Sequence, residues 1–191
     1  MLRFSPSPTI LVLLAIMLGT LSFPMRAISA SAADRPPLQS IDQIEEMIRR
    51  SGAEQTVHAL YNQDVAWDHL REQVATGQTR WLEAGATLYG AADGGAKQML
   101  AHSLAEALIP AAARELTLAS RRILTVTEVC IGPDVDDDRF STYEAAAKAL
   151  HQTIASVKRV NSPELQSYKE ECLRQLAQQE SSLSTFFGHT P

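Results

Sequence analysis

The sequence predicts an all-α fold: an array of short antiparallel helical hairpins, then a long C-terminal helical hairpin, tied by one disulfide. Three observations lead there. Apolar residues recur at spacings of three and four along most of the chain after residue 40. Cap and stop residues separate these stretches into short segments joined by tight loops. Only 121–131 has the β-branched density of a strand, and no other segment offers it a partner.

The first stretch is not part of that pattern. Met1-Leu2-Arg3 gives a positive end, Thr9 to Phe23 an apolar run, and Ala30-Ser31-Ala32 a small-x-small cleavage pattern. Residues 1–32 therefore read as a signal peptide, cut before Ala33. The run is about 15 residues, short of the roughly 20 that span a bilayer. Residues 33–39 read as a flexible leader, 40–180 as a single helical domain, and 181–191 as a C-terminal tail.

Ser40 and Gln43 form a capping box that opens the first helix. Ile41, Ile44 and Ile48 give its face, and Gly52 stops it. Val57, Leu60 and Tyr61 mark a second helix, over 53–61. Asp64 is the expected cap of a third, with Trp67, Leu70 and Val74 facing inward and Gly77 ending it. Thr79 is the expected cap of a fourth, with Trp81, Leu82, Gly85, Leu88 and Tyr89 on its face. Residues 90–95 read as a loop. A fifth helix runs from Ala96 through Met99, Leu100, Leu104, Ala107 and Leu108 and stops before Pro110. Pro110 suits the first turn of another helix, to about Ser120.

Thr125 and Glu128 suggest a second capping box, so a helical turn is expected at 126–131, stopped by Gly132-Pro133. Phe140, Tyr143, Ala147, Leu150, Ile154 and Val157 form a heptad-like seam on a long helix over 137–159. Ser162 and Pro163 start the returning helix, with Leu165, Tyr168, Cys172 and Leu176 on its inner face.

The helix–loop rhythm over 53–120 resembles a hairpin solenoid of the HEAT type. With the signal, the W-x-x-L…W-L helices (Trp67, Leu70, Trp81, Leu82) and the Cys130-Ile131-Gly132-Pro133 corner, the chain resembles small exported all-helical proteins of Gram-negative bacteria. The resemblance implies a fold and carries no activity.

Composition narrows the function. With 45% hydrophobic residues, 20% charged, 9 Gly, 9 Pro and 2 Cys, the chain is neither collagen-like, low-complexity nor a disulfide-dense miniprotein. Removing 1–32 takes away Arg3 and Arg26 and no acidic residue, so the formal net charge moves from −5 to −7. An acidic chain is a poor match for nucleic acid. No second apolar run reaches membrane length, so stable membrane insertion of the mature chain is not expected. In an oxidising compartment, Cys130 and Cys172 read as a disulfide. A metal site and a free thiol are the alternatives.

No motif assigns a reaction. The chain lacks a P-loop, G-x-S-x-G, S-x-x-K and H-E-x-x-H. His58, His69, His102, His151 and His189 lie on separate segments without paired spacing. Asp134, Asp136 and Asp138 open like an EF-hand loop. Arg139 and Ala145 stand where that loop needs Gly and Glu, so capping of the following helix is the preferred reading. Glu45-Glu46 and Glu170-Glu171 are neighbours that diverge on a helix. Tyr61, Trp67, Trp81 and Tyr89 form either a core cluster or an aromatic platform for sugar; their spacing favours core. No catalytic, cofactor or metal residue is therefore named, and no cofactor is expected. The expected function is a non-catalytic protein-binding module, periplasmic or secreted, one form being immunity to a secreted toxin. A periplasmic hydrolase and a lipid or small-ligand carrier are the alternatives. The sequence sets no oligomeric state.

Overall fold

Local capping chemistry decides where the chain first turns helical. In the computed structural model, which describes residues 39–188, the Ser40 hydroxyl accepts from the Gln43 N–H and the Gln43 side chain accepts from the Ser40 N–H at 2.7 Å. Helix α1 (Ile41–Ser51) follows, and Gly52 ends it at φ 83°. The described residues belong to the unit Pro36–Pro191. The signal peptide expected at 1–32 lies outside them, as does the leader at 33–39 except Gln39.

Helices α2 (Ala53–Tyr61), α3 (Asp64–Ala75) and α4 (Thr79–Ala91) come next. Asp64 and Thr79 are first helical residues rather than caps; Gln63 and Gln78 hold the cap positions. The α2–α3 turn explains the first shift. Asn62 and Gln63 donate their side-chain amides to the His58 and Ala59 carbonyls at the end of α2. The expected loop at 90–95 shrinks to Ala92-Asp93. Gly90 and Ala91 stay in α4, while Gly94 and Gly95 open α5 (Gly94–Ser120).

The helical path of α5 is interrupted beside Pro110, as expected. It bends there, with Ala111 at φ −143° and ψ 34°. Proline removes one hydrogen bond and disturbs the turn before it. The Ser156 hydroxyl donates to the Ile109 carbonyl at 2.7 Å, so the bend is anchored by a later helix. Two helical stretches on either side of Pro110, as expected, thus meet at a kink. At its end Arg122 takes a φ of 60°, which lets the Ile123 N–H reach the Leu118 carbonyl at 3.1 Å.

Helix α6 (Val126–Val129) is the short helical turn expected there, and Glu128 accepts from the Thr125 N–H at 2.6 Å. A 3-10 turn covers Asp138–Phe140, and α7 (Tyr143–Lys158) starts only after Thr142 caps it. The long helix is therefore shorter than its predicted 137–159. A 3-10 turn at Pro163–Leu165 leads into α8 (Gln166–Phe186), which continues where a tail was expected from 181. Leu183 is buried, and Phe187 packs on the core.

Among the described residues the structure is all-α, with eight helices and no strand. Helix α5 is the centre: α3, α4, α6, α7 and α8 all pack on it. A solenoid joins each repeat only to its neighbours, so the HEAT-like rhythm folds here into a bundle around the kinked α5. Helices α7 and α8 form the expected C-terminal hairpin. Cys130 and Cys172 form a disulfide with Cα atoms 5.3 Å apart, both cysteines buried, so the bond ties the end of α6 to α8. No described helix is long and apolar enough to cross a membrane.

Two close approaches set the packing of α3 and α4. Gly85 lies so near Val74 that a Cβ there would sit 2.7 Å from a Val74 methyl. Gly77, at φ 73°, ends α3 against the α5 bend. A Cβ there would sit 2.4 Å from that of Ala111.

Candidate functional site

The face of α3 flanking its core stripe carries Asp68, Arg71, Glu72 and Ala75, the i, i+3, i+4, i+7 positions of one helical side. The other side, Trp67, Leu70 and Val74, is buried. Ser103 and Glu106, one turn apart on α5, oppose the polar face. Asp137 and Arg139, from the segment between α6 and α7, close the third wall. Together these residues line a charged cleft of about 350 Å³.

Four carboxylates and two guanidiniums meet there. Arg139 donates to Glu106 at 2.6 Å and to Asp137 at 2.7 Å. Asp137 also accepts the Arg139 N–H at 2.8 Å. The Arg139 guanidinium beside Asp137 holds that carboxyl below its usual range, and Arg71 adds to the effect. Asp137 and Glu106 in turn push Arg139 up. Arg71 is held more loosely. Its one ion pair is with Asp68 at 3.4 Å, and its buried Nε–H has no acceptor. Glu72 is exposed and forms no ion pair.

Next to the cleft, His102 Nε2 lies 3.3 Å from Asp134 Oδ2, joining α5 to the loop. They border a cavity of about 30 Å³, apolar in most of its lining and sized for about one water. A wider opening of about 520 Å³ lies along α8 alone, from Gln178 to Phe186. One helix cannot enclose a ligand, so it defines no site.

The remaining singled-out residues disperse. His58 is exposed, His69 stacks edge-on against Trp81, His151 pairs with Glu180 at 2.6 Å, and His189 lies outside the described residues. The aspartates after the disulfide corner serve the loop: Asp134 accepts from the Asp136 N–H, and Asp137 caps the 3-10 turn. Thr142, not an aspartate, caps α7. No three His, Cys, Asp or Glu residues among those described are grouped to hold a metal. Glu45 and Glu46 are divided between Arg80 and the pair Arg49 and Arg50. Glu171 pairs with Arg174, and Glu170 accepts from Gln166. Trp67, Trp81 and Tyr89 are core residues, Trp67 donating its indole N–H to Met99 Sδ. Tyr61 alone of that group is exposed, so no aromatic platform forms.

Two features escaped the sequence reading. The cleft is one, although the spacing of 68, 71, 72 and 75 was available as its signal. The other is Glu115, fully buried on α5, with neither carboxyl oxygen hydrogen-bonded. Burial pushes its pKa up to about 8. A lone acidic residue among Ala111, Ala112, Leu116, Leu118 and Ala119 was its sequence signal. No known protein family, curated protein or solved structure matches the chain.

Proposed function

We propose that the protein is exported and acts by binding another protein, with no bond chemistry of its own. One observation carries the reading: the carboxyl group suited to act as an acid is not where a substrate can go. A general acid needs a pKa near the working pH. Among the described residues, Glu115 is the carboxyl raised in that direction; it is fully buried and lines none of the cavities above. In the open cleft Asp137 is pushed the other way and stays ionised.

Export is supported by the pattern in 1–32 and by a disulfide that fits an oxidising compartment. The net charge of −5, which becomes −7 without residues 1–32, favours a basic partner and speeds its approach; a secreted toxin held by its immunity protein is one such pair. Affinity capture from periplasmic extract with the oxidised chain, followed by mass spectrometry, tests the reading. The expected result is a basic protein retained stoichiometrically. An empty capture, or turnover of peptide or peptidoglycan substrates that a single carboxylate substitution abolishes, overturns it.

A further inference from the structure

We propose that the groove at the α5 kink, between Arg114 of α5 and Arg159 at the end of α7, docks a short acidic segment of a partner protein. This deepens the protein-binding reading and rests on it.

The two walls of the groove are fixed to each other. The Ser156 hydroxyl of α7 donates to the Ile109 carbonyl of α5 at 2.7 Å, beside the non-helical Ala111. Arg159 follows Ser156 by three residues in helical conformation, on the same side of α7. Arg114 stands just past the kink, where its Nη1 donates to the Gly77 carbonyl at 2.8 Å. The two arginines line one opening of about 330 Å³, with Ile109, Pro110 and Val160 between them. Its lining holds no carboxylate. The rest of the chain runs the other way. Acidic residues outnumber Lys and Arg, 22 to 17, and Arg80, Arg121, Arg139 and Arg174 each pair with a carboxylate. Arg114 and Arg159 are both exposed, open to an incoming group, and neither forms an ion pair among the described residues.

The occupant follows from this chemistry. Exposed ion pairs are weak alone, so a free small anion gains little in an open groove. A chain segment covers it. Its carboxylates meet the two guanidiniums, which suit bidentate carboxylate binding. Small apolar residues between those carboxylates cover Ile109 and Pro110, both exposed. A long polyanion or an anionic bilayer is repelled by the acidic remainder of the surface, and a short segment escapes that repulsion. The partner as a whole is still basic: net charge draws it in, and the groove sets its register.

Fluorescence anisotropy on the oxidised full chain tests this with a labelled peptide of about eight alternating Glu and Ala residues, at protein concentrations up to about 1 mM. Matching Gln–Ala and Lys–Ala peptides are the controls. The expected result is saturable binding of the Glu–Ala peptide, at least about tenfold tighter than either control and weaker as salt rises. Arg159→Gln should weaken it about threefold, and Arg114→Gln with Arg159→Gln about tenfold. Arg159 has no partner to lose, so its single variant keeps the test decisive if Arg114→Gln disturbs the contact with Gly77. No binding of the Glu–Ala peptide overturns the proposal, as does binding that Arg159→Gln leaves unchanged. Sedimentation velocity of the chain alone covers another occupant: a dimer that Arg159→Gln dissolves gives the groove to a second copy and overturns the assignment. Peptide failure with a protein still captured sinks the groove alone, whereas an empty capture sinks the reading beneath it.

Discussion

Glu115 should make this protein lose stability as the solution turns mildly alkaline, and replacing it should abolish that loss. In the fold its pKa is about 8 instead of the usual 4.5, because burial penalises the charged form and no partner offsets it. The folded state therefore holds the proton more tightly than the unfolded chain does. By linkage, the contribution of Glu115 is fully present below pH 4.5, declines as pH rises towards 8, and is level above that. At about 1.4 kcal/mol per tenfold change in proton affinity, ionising Glu115 costs about 5 kcal/mol in all, and about 4 kcal/mol of it falls between about pH 5 and 8.5. That is a large part of a typical stability of about 5–15 kcal/mol. The carboxyls held below their usual range, such as Asp137 and Glu128, act in the opposite sense, and their contributions fade only as pH falls through the acid range. They leave the neutral-to-alkaline window to Glu115. Urea unfolding followed by circular dichroism at fixed ionic strength measures the effect. With a slope of about 2 kcal/mol/M, the wild-type midpoint should fall by about 2 M across the window. Glu115→Gln should hold its midpoint nearly constant, and Glu115→Met should exceed wild type most at pH 8.5. A wild-type midpoint that runs level and parallel to Glu115→Gln refutes the reasoning.

Three further outcomes follow from packing and covalent geometry. The Cys130→Ser/Cys172→Ser double variant frees a 42-residue loop in the unfolded chain and should lose about 4 kcal/mol, read from urea midpoints against the oxidised parent. Gly77→Ala should cost at least about 2 kcal/mol by the same assay, because φ is 73° and the new methyl meets Ala111. Gly85→Ala should cost about 1–3 kcal/mol alone, yet be neutral or stabilising by up to about 1 kcal/mol beside Val74→Ala, since the methyls that block it are then gone. A double-mutant cycle with additive costs would refute the Gly85 contact.

How far the chain could be read depended on whether the deciding partner was local. Ser40 with Gln43, and Ser162 with Pro163, act within one turn, and each starts its element where expected. Pro110 reads locally as a break. The backbone does leave helical geometry there, at Ala111, and what the sequence hid is the contact made at the kink by the Ser156 hydroxyl, 47 residues away. The α7 seam was displaced for a related reason. Its most buried line is Ala146, Leu150, Thr153 and Val157, with Ser156 beside it, whereas Tyr143, Ala147 and Ile154 are only half-buried. Thr153 and Ser156 enter the core because their hydroxyls donate to the Ala149 and Ile109 carbonyls. A search for apolar spacing passes over them. The cleft was hidden by the same habit. Charged residues on an outer helix face look solvated until α5 and the loop after Cys130 are seen to stand opposite.

That loop links the covalent framework to the cleft. It contributes Asp137 and Arg139, and its own stability cannot come from the ion pairs it makes. Arg139 is about half exposed, and exposed pairs contribute about 0–1 kcal/mol. Its apolar residues Val135 and Phe140 reach the core only partly. The disulfide is the stronger restraint, because Cys130 enters the loop from a buried position fixed against α8. Gly132 then passes along Gln179 of the same helix, where a Cβ would lie 3.4 Å from the Gln179 Cβ. One wall of the cleft is therefore held from behind by α8, while the opposite wall belongs to α3. The bundle core thus sets the distance across the opening, and surface charge pairing adjusts it only slightly. A recess built this way keeps its shape when salt screens its ion pairs, which a preorganised binding site requires.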